Sequence, residues 1–372
     1  MTEAVPQTHP HGFVRRHGAK LVASAIITAG IVYTLQKGGL TLIPRGVSFQ
    51  NVRWWTLPLY VMMFLGMTWF RATRWRYLLR SFVELPRSRA FAISSIGFAA
   101  IVLMPFRLGE FVRPYLVHQR GKVSLTSATG TIVAERVVDG LYLSLLLAAA
   151  LITVPHLEPL PESVIGLPIS VRQVRGSGFV MLGIFAAAFV TIFAFYFARA
   201  FAHRATLAIF GIVSRRLGEK LAELAEKLAN GMHALGNARD AGGFLFETTL
   251  YWMLNALGMW LLAWGCGVVH ADGSSITLGE TFALMGMLGV TILIPGPPGL
   301  LGVFQAGIYA GMSMYFPPSV VTGQGAAFVF LLYALQLSFT TLLGGFYLVT
   351  DKVSVRDALE APSLETVPAP SE

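Results

Sequence analysis

The sequence predicts an all-α polytopic membrane protein with about six full transmembrane helices, two re-entrant broken hairpins and a candidate inverted repeat. Three observations carry this. Of 372 residues, 55% are hydrophobic and only 13% charged, against about 25% charged in a soluble domain. Mean hydropathy is +0.64. Apolar segments of bilayer length alternate with short polar ones, and Lys and Arg collect in some loops and avoid others, as membrane orientation requires.

In chain order, residues 1–18 are polar and read as a disordered cytoplasmic N-terminus. Residues 19–350 read as one transmembrane domain. A first span runs over 21–35 and shows no cleavage site for a signal peptide. Trp54 and Trp55 mark an interface, where amphipathic rings settle, and open a span that reaches Phe70. A basic run follows, Arg71, Arg74, Arg76, Arg80, Arg87 and Arg89. It reads as a cytoplasmic topology signal that also attracts anionic lipid.

Residues 90–118 form the first broken hairpin, and 126–154 a long span whose second half, Leu141 to Ile152, reads as lipid-facing. After an outer loop, 178–198 spans back. Residues 199–243 form a cytoplasmic connector. In it Leu217, Leu221, Leu224, Leu228, Met232 and Leu235 recur at three- and four-residue steps, the pattern of an amphipathic helix. Residues 244–264 span outward, 276–315 form a second broken hairpin, and 326–349 span inward. The tail, 351–372, is polar, acidic and proline-rich, the composition of a disordered segment. Of 28 Lys and Arg, this topology puts 20 inside, 5 outside and 3 in the membrane. Both termini are therefore expected in the cytoplasm, with the protein in the inner membrane. Span, broken hairpin and span occur twice with opposite orientation, an arrangement found in transporters.

The stretch Met104-Pro105-Phe106-Arg107-Leu108-Gly109-Glu110-Phe111-Val112-Arg113-Pro114 is the most informative. Its flanks are apolar enough for lipid, yet it carries two arginines and a glutamate. Proline removes a backbone N–H and clashes with the preceding turn, so a break is expected at each end. Arg107, Glu110 and Arg113 recur at i, i+3, i+6, which puts Glu110 within helical reach of both arginines. The next span adds Glu135, Arg136 and Asp139, where Glu135 and Asp139 share a face and Arg136 pairs with Asp139. These three positive and three negative charges sum to zero. Intramembrane charges are costly and usually functional. They read as a network locking the first hairpin onto the 126–154 span, or as a site where arginine forks bind a lipid phosphate. In the second hairpin, Pro295, Gly296, Gly299 and Gly302 free backbone groups at depth, and Gln305 and Thr291 lie nearby as polar candidates. Helix ends broken in this way direct partial charges at a bound polar group.

The composition excludes several classes. There is one cysteine, Cys266, and the eight histidines are scattered, so no disulfide, metal or other cofactor is expected. No GxSxG, HExxH, P-loop or dinucleotide fingerprint is present. The charge of +9 reports topology rather than nucleic-acid binding.

The run Pro105 to Pro114, with Glu135-Arg136-Val137-Val138-Asp139, resembles the lysylphosphatidylglycerol synthase transmembrane-region family, also called flippase-like. The Pro-Gly loop with Gly302-Val303 resembles that family's later motif, and the similarity covers roughly 20–350. The resemblance implies movement of a phospholipid, or of a polyprenyl- or hopanoid-linked envelope lipid, across the cytoplasmic membrane. Where the family usually has Arg-Glu after the Gly-Val, this chain has Phe304-Gln305, so a role for that glutamate is not carried over. The aminoacyltransferase domain of two-part members is not seen, and the synthase activity is not carried over either. The leading expectation is therefore a lipid flippase and not an enzyme. Its substrate-binding residues would be Arg107, Glu110, Arg113, Glu135, Arg136, Asp139, Pro295, Gly296, Gly299, Gly302 and Gln305, and its partners membrane lipids with an anionic headgroup phosphate. Two alternatives remain. One is a membrane enzyme modifying a lipid headgroup with Glu135 or Asp139 as acid or base. The other is a scaffold assembled with envelope-lipid biosynthesis proteins or as a homo-oligomer.

Overall fold

A computed structural model of the chain describes residues 42–119, 123–164, 170–197, 237–293 and 297–350, with a few residues elsewhere. The first span, most of the amphipathic connector and the tail lie outside the described residues, as do Pro295 and Gly296. Among the described residues the regular structure is helical, with loops between the helices and an isolated bridge between Val269 and Ser275. The helices are α1 (Thr56–Thr73), α2 (Trp75–Leu79), α3 (Arg87–Leu103), α4 (Val112–Gln119), α5 (Leu125–Thr153), α6 (Val171–Phe197), α7 (Ala238–Gly265), α8 (Leu278–Ile292), α9 (Val303–Met312), α10 (Pro318–Thr322) and α11 (Gln324–Thr350).

Local chemistry sets the helix ends. The Ser124 hydroxyl accepts from the Ser127 N–H and starts α5, and the Asn237 side chain accepts from the Arg239 N–H at the start of α7. At α8, Thr277 accepts from the Glu280 N–H while Glu280 accepts from the Thr277 N–H, a reciprocal cap. Three described helices are long and apolar enough to cross a membrane: Leu125–Thr153, Val171–Thr191 and Gln324–Thr350. Their outward faces carry Leu145, Phe179, Val180, Ile184, Leu342, Phe346 and Val349, all exposed.

The chain breaks at Pro105 and again before Gly302 as expected, but Pro114 does not make the break expected of it. Met104 is extended (φ −88°, ψ 139°), the conformation favoured before a proline. A 3₁₀ turn then runs from Pro105 to Phe111 and α4 begins at Val112. Pro114 is therefore not a second break. It sits in the first turn of α4, where its missing N–H costs no helical hydrogen bond. In the second hairpin, a 3₁₀ turn at Pro298–Leu300 separates α8 from α9, with Gly299 and Gly302 at positive φ. The two turns touch each other.

The packing partners exchange in a regular way. Helix α1 packs on α7, α3 on α11, and α5 on α8. Interchanging α1 with α7, α3 with α8 and α5 with α11 leaves this set of contacts unchanged. Small residues make the close approaches: Ser95 and Ala99 of α3 lie directly against Gly344 of α11, as in packed membrane helices generally. The second half of α5 is not lipid-facing along its length. Leu143, Leu147, Ala148, Ala150 and Leu151 are buried, because α6 and α8 pack on it.

Gly109 shows how tightly the first turn is seated. A Cβ there would overlap the backbone of Ala100 and Ile101 in α3. Gly109→Val is expected to lower the melting temperature in detergent, with an overpacking cost of about 1–3 kcal/mol. Gly345→Ala, where a Cβ meets nothing within 4 Å, should stay near the wild type. Equal stability of the two variants would show that the turn is not held against α3.

A buried arginine–carboxylate network

Glu135 of α5 is fully buried, and two arginines from different parts of the chain reach it. Arg113 of α4 donates from Nη1 to Oε1 at 3.3 Å and from Nη2 to Oε2 at 3.1 Å, a two-pronged pair that fixes both planes. Arg74, between α1 and α2, donates from Nη2 to Glu135 Oε1 at 3.4 Å and to Asp139 Oδ2 at 2.6 Å. Its Nη1 donates to Thr248 of α7 at 3.0 Å. Asp139 also accepts from the Trp252 indole at 3.3 Å. One carboxylate pair thus ties together α4, α5, α7 and the α1–α2 junction.

Aromatic faces complete the lining. The Arg113 guanidinium lies 4.3 Å from the Trp75 ring centre and 5.2 Å from that of Phe98. The Arg71 guanidinium lies 4.3 Å from the same Phe98 ring, and that of Arg74 is 4.9 Å from Tyr251. The Trp75 indole donates to Thr131 at 2.9 Å. Gly97 of α3 makes room for the Arg113 stem, which any Cβ there would strike.

The sequence expectations meet this geometry unevenly. Glu135, Arg113 and Asp139 do come together. Arg136 is within 3.6 Å of Glu135 and 3.9 Å of Asp139, ion-pair distances too long for hydrogen bonds. The chief partner of Asp139 is Arg74, and Arg113 pairs with Glu135 rather than with Glu110. Glu110 is half-buried and lies in the electrostatic field of Arg136. The side chain of Arg107 is outside the described residues. Gln305 is not an open polar group: its Oε1 accepts from the Gly302 N–H at 2.7 Å and caps α9. Thr291 bonds back to Met287 and Leu288 carbonyls within its own helix.

The charge balance differs from the expected zero. Arg74 reads from sequence as part of a loop topology signal, yet it is fully buried. Arg71 turns inward too, close enough to Arg113 to repel it. Among the described residues, Arg71, Arg74, Arg113 and Arg136 face Glu110, Glu135 and Asp139, so the network carries one positive charge more than its carboxylates cancel. The Nε atoms of Arg71, Arg74, Arg113 and Arg136, and Nη2 of Arg136, are buried without a hydrogen-bond acceptor among the described residues.

Sequence reasoning also misses Glu247. It is buried on α7 and accepts from Thr73 at 2.7 Å, Tyr77 at 3.2 Å and Arg76 at 3.3 Å. A signal exists, since an acid inside an apolar stretch is itself a charge at membrane depth.

Removing one partner from such a pair leaves a buried charge uncompensated. Arg113→Gln and Glu135→Gln are each expected to destabilise the fold by about 3–5 kcal/mol. The double variant should lose clearly less than the sum, by the logic of contacting pairs. Denaturant unfolding in mixed micelles measures all three, and strictly additive losses would show that the two side chains do not interact.

The family model described as "Lysylphosphatidylglycerol synthase TM region" matches residues 20–344. A "UPF0104 membrane protein" from Methanothermobacter thermautotrophicus (strain ATCC 29096 / DSM 1053 / JCM 10044 / NBRC 100330 / Delta H) is 23% identical over 282 residues, covering 69% of this chain and 77% of the relative. No solved structure matches. With the match covering both charged motifs and the network they build, the chain belongs to the lysylphosphatidylglycerol synthase TM region family and is a multi-pass membrane protein.

Proposed function

We propose that the protein moves a phosphate-bearing lipid across the cytoplasmic membrane without changing it chemically. The observation that supports this most is the surplus of arginine in the buried network, together with the Arg136 donors that no described residue accepts. Arg136 lies at ion-pair distance from Glu135 and Asp139, but the network's described arginines outnumber its carboxylates by one, and a buried charge in excess is unfavourable. A lipid phosphate is an anion available at this depth, and arginine is the side chain suited to it. Arg136 and Arg107 would engage the phosphate, while Arg113 and Arg74 hold the carboxylates and fix the frame.

The finer architecture belongs to the same reading. Residues 19–350 act as one transmembrane domain of six spans and two re-entrant hairpins, with 199–243 as a cytoplasmic connector and both termini in the cytoplasm. The interchangeable packing of α1 with α7, α3 with α11 and α5 with α8 favours an inverted repeat, whose binding site lies between the halves. The contact between the two broken turns then marks where the halves would part. An acid–base role for Glu135 is disfavoured, because both its oxygens are already taken by arginines.

Leaflet-specific labelling of phospholipid in reconstituted vesicles tests this. Arg136→Gln and Arg107→Ala are expected to slow translocation by about tenfold or more, the worth of one charge-assisted contact. Arg172→Gln, at an exposed position, should move lipid normally. Correctly folded Arg136→Gln and Arg107→Ala proteins that translocate at the wild-type rate would overturn the reading, and a chemically altered lipid would replace it with an enzyme.

A further inference from the structure

A second basic feature lies outside the buried network. A cleft of about 620 Å³ opens between α2, the segment leading into α3 with its first residue, and the first two turns of α7. Its walls carry Arg76, Arg80, Arg87 and Arg239, with Tyr77 and Glu84. Membrane orientation explains why basic residues lie on this side of the protein. It does not explain why Arg239, from the start of α7, joins Arg76, Arg80 and Arg87 of the α2–α3 region in lining one concavity.

Two of the arginines, Arg76 and Arg80, are held in place before any ligand arrives. Arg76 and Arg80 lie over the Tyr77 ring, at 4.3 and 5.0 Å from its centre. Arg76 also donates to the Tyr77 hydroxyl at 2.7 Å, and Arg80 pairs with Asp240. Such stacking removes rotamer freedom that binding would otherwise have to remove. The forks still reach water: the Arg80 side chain is 39% exposed and that of Arg87 is 57% exposed.

Charge and position narrow the ligand. Against the four arginines stand Glu84, which lines the cleft, Asp240 beside Arg80, and Glu247 beside Arg76 and Arg87. One positive charge remains, which a monoanion cancels and a dianion over-compensates. On α7, Phe246 follows the cleft-lining Gly243 by three residues and is 64% exposed, and residues three apart are neighbours on a helix surface, so an exposed apolar side chain adjoins the rim. We propose that this cleft binds the monoanionic phosphodiester of a glycerophospholipid at the membrane surface.

The cleft also adjoins the buried network. Glu247 accepts from the cleft-lining Arg76 and from Thr73, and the next residue, Thr248, accepts from Arg74. The cleft and the interior network are thus linked through consecutive residues of α7. The cleft's role as a capture point before translocation rests on the proposed transport function, whereas the binding itself does not.

The test is titration of purified full-length protein in neutral detergent, with affinity read by thermophoresis. The probes are short-chain phosphatidylglycerol, glycerophosphoglycerol without acyl chains, and inorganic phosphate. Each is measured in the wild type and in Arg136→Gln, so that lipid in the buried network is not mistaken for lipid in the cleft. Phosphatidylglycerol is expected to bind most tightly. Arg239→Gln, at an exposed position that folding tolerates, and the Arg80→Gln/Arg239→Gln pair should weaken it by about tenfold or more, with Arg172→Gln unchanged. Wild-type affinity in both cleft variants overturns the proposal. So does equal affinity for glycerophosphoglycerol or inorganic phosphate, which would make the ligand a soluble anion. Binding in the cleft without translocation in vesicles would remove the transport reading and leave this site standing. Translocation lost in Arg136→Gln, with phosphatidylglycerol affinity untouched by the cleft variants, would do the reverse.

Discussion

The fold depends on how one carboxylate is kept ionised away from water. Glu135 is fully buried, and isolating such a charge in a low-dielectric interior costs several kcal/mol even after relaxation. Arg113 meets both its oxygens, and Arg74 meets one of them and Asp139. Each arginine comes from a different part of the chain, so the charge cannot be satisfied until α4, α5 and the α1–α2 junction have assembled. Thr248 and Trp252 extend the same requirement to α7. The network sets register more than it adds net stability, since a buried pair roughly breaks even with apolar packing.

Backbone chemistry makes that assembly attainable. Pro105 ends α3 and lets the chain turn within the interior, and the small side chains of α3 bring α11 and the turn close. Gly97 yields the volume that the Arg113 stem fills. A conventional helix through 104–111 would carry Arg113 along a different path. The break and the ion pair are therefore one device: the proline sets where α4 begins, and Arg113, one residue into α4, reaches Glu135.

Much of this is legible in the sequence. Composition and basic-residue bias imply a multi-pass helical protein, and Leu125–Thr153 and Gln324–Thr350 fall almost where apolar length puts them. Met104 to Pro114 identifies both the break and Arg113, because a charge inside an apolar run is too costly to keep without a partner. Partnership across distance is what local pattern does not carry. Arg74 sits in a run of arginines that membrane orientation already accounts for, so nothing local separates it from Arg76 or Arg80. Its partners Asp139 and Thr248 lie in helices that only packing brings near. Gln305 misleads for the opposite reason: a short-range cap three residues away takes its oxygen. Pro114 looks like Pro105 until the start of α4 places it in a first turn.

The proposed function stands or falls on whether a phosphate-bearing lipid completes the arginine surplus around Glu135. Native mass spectrometry of protein released from mild detergent addresses this directly, by counting retained phospholipids per chain. The wild type and Arg172→Gln should hold one more anionic phospholipid than Arg136→Gln. Identical counts in all three proteins would contradict the claim and leave the network as a structural lock alone.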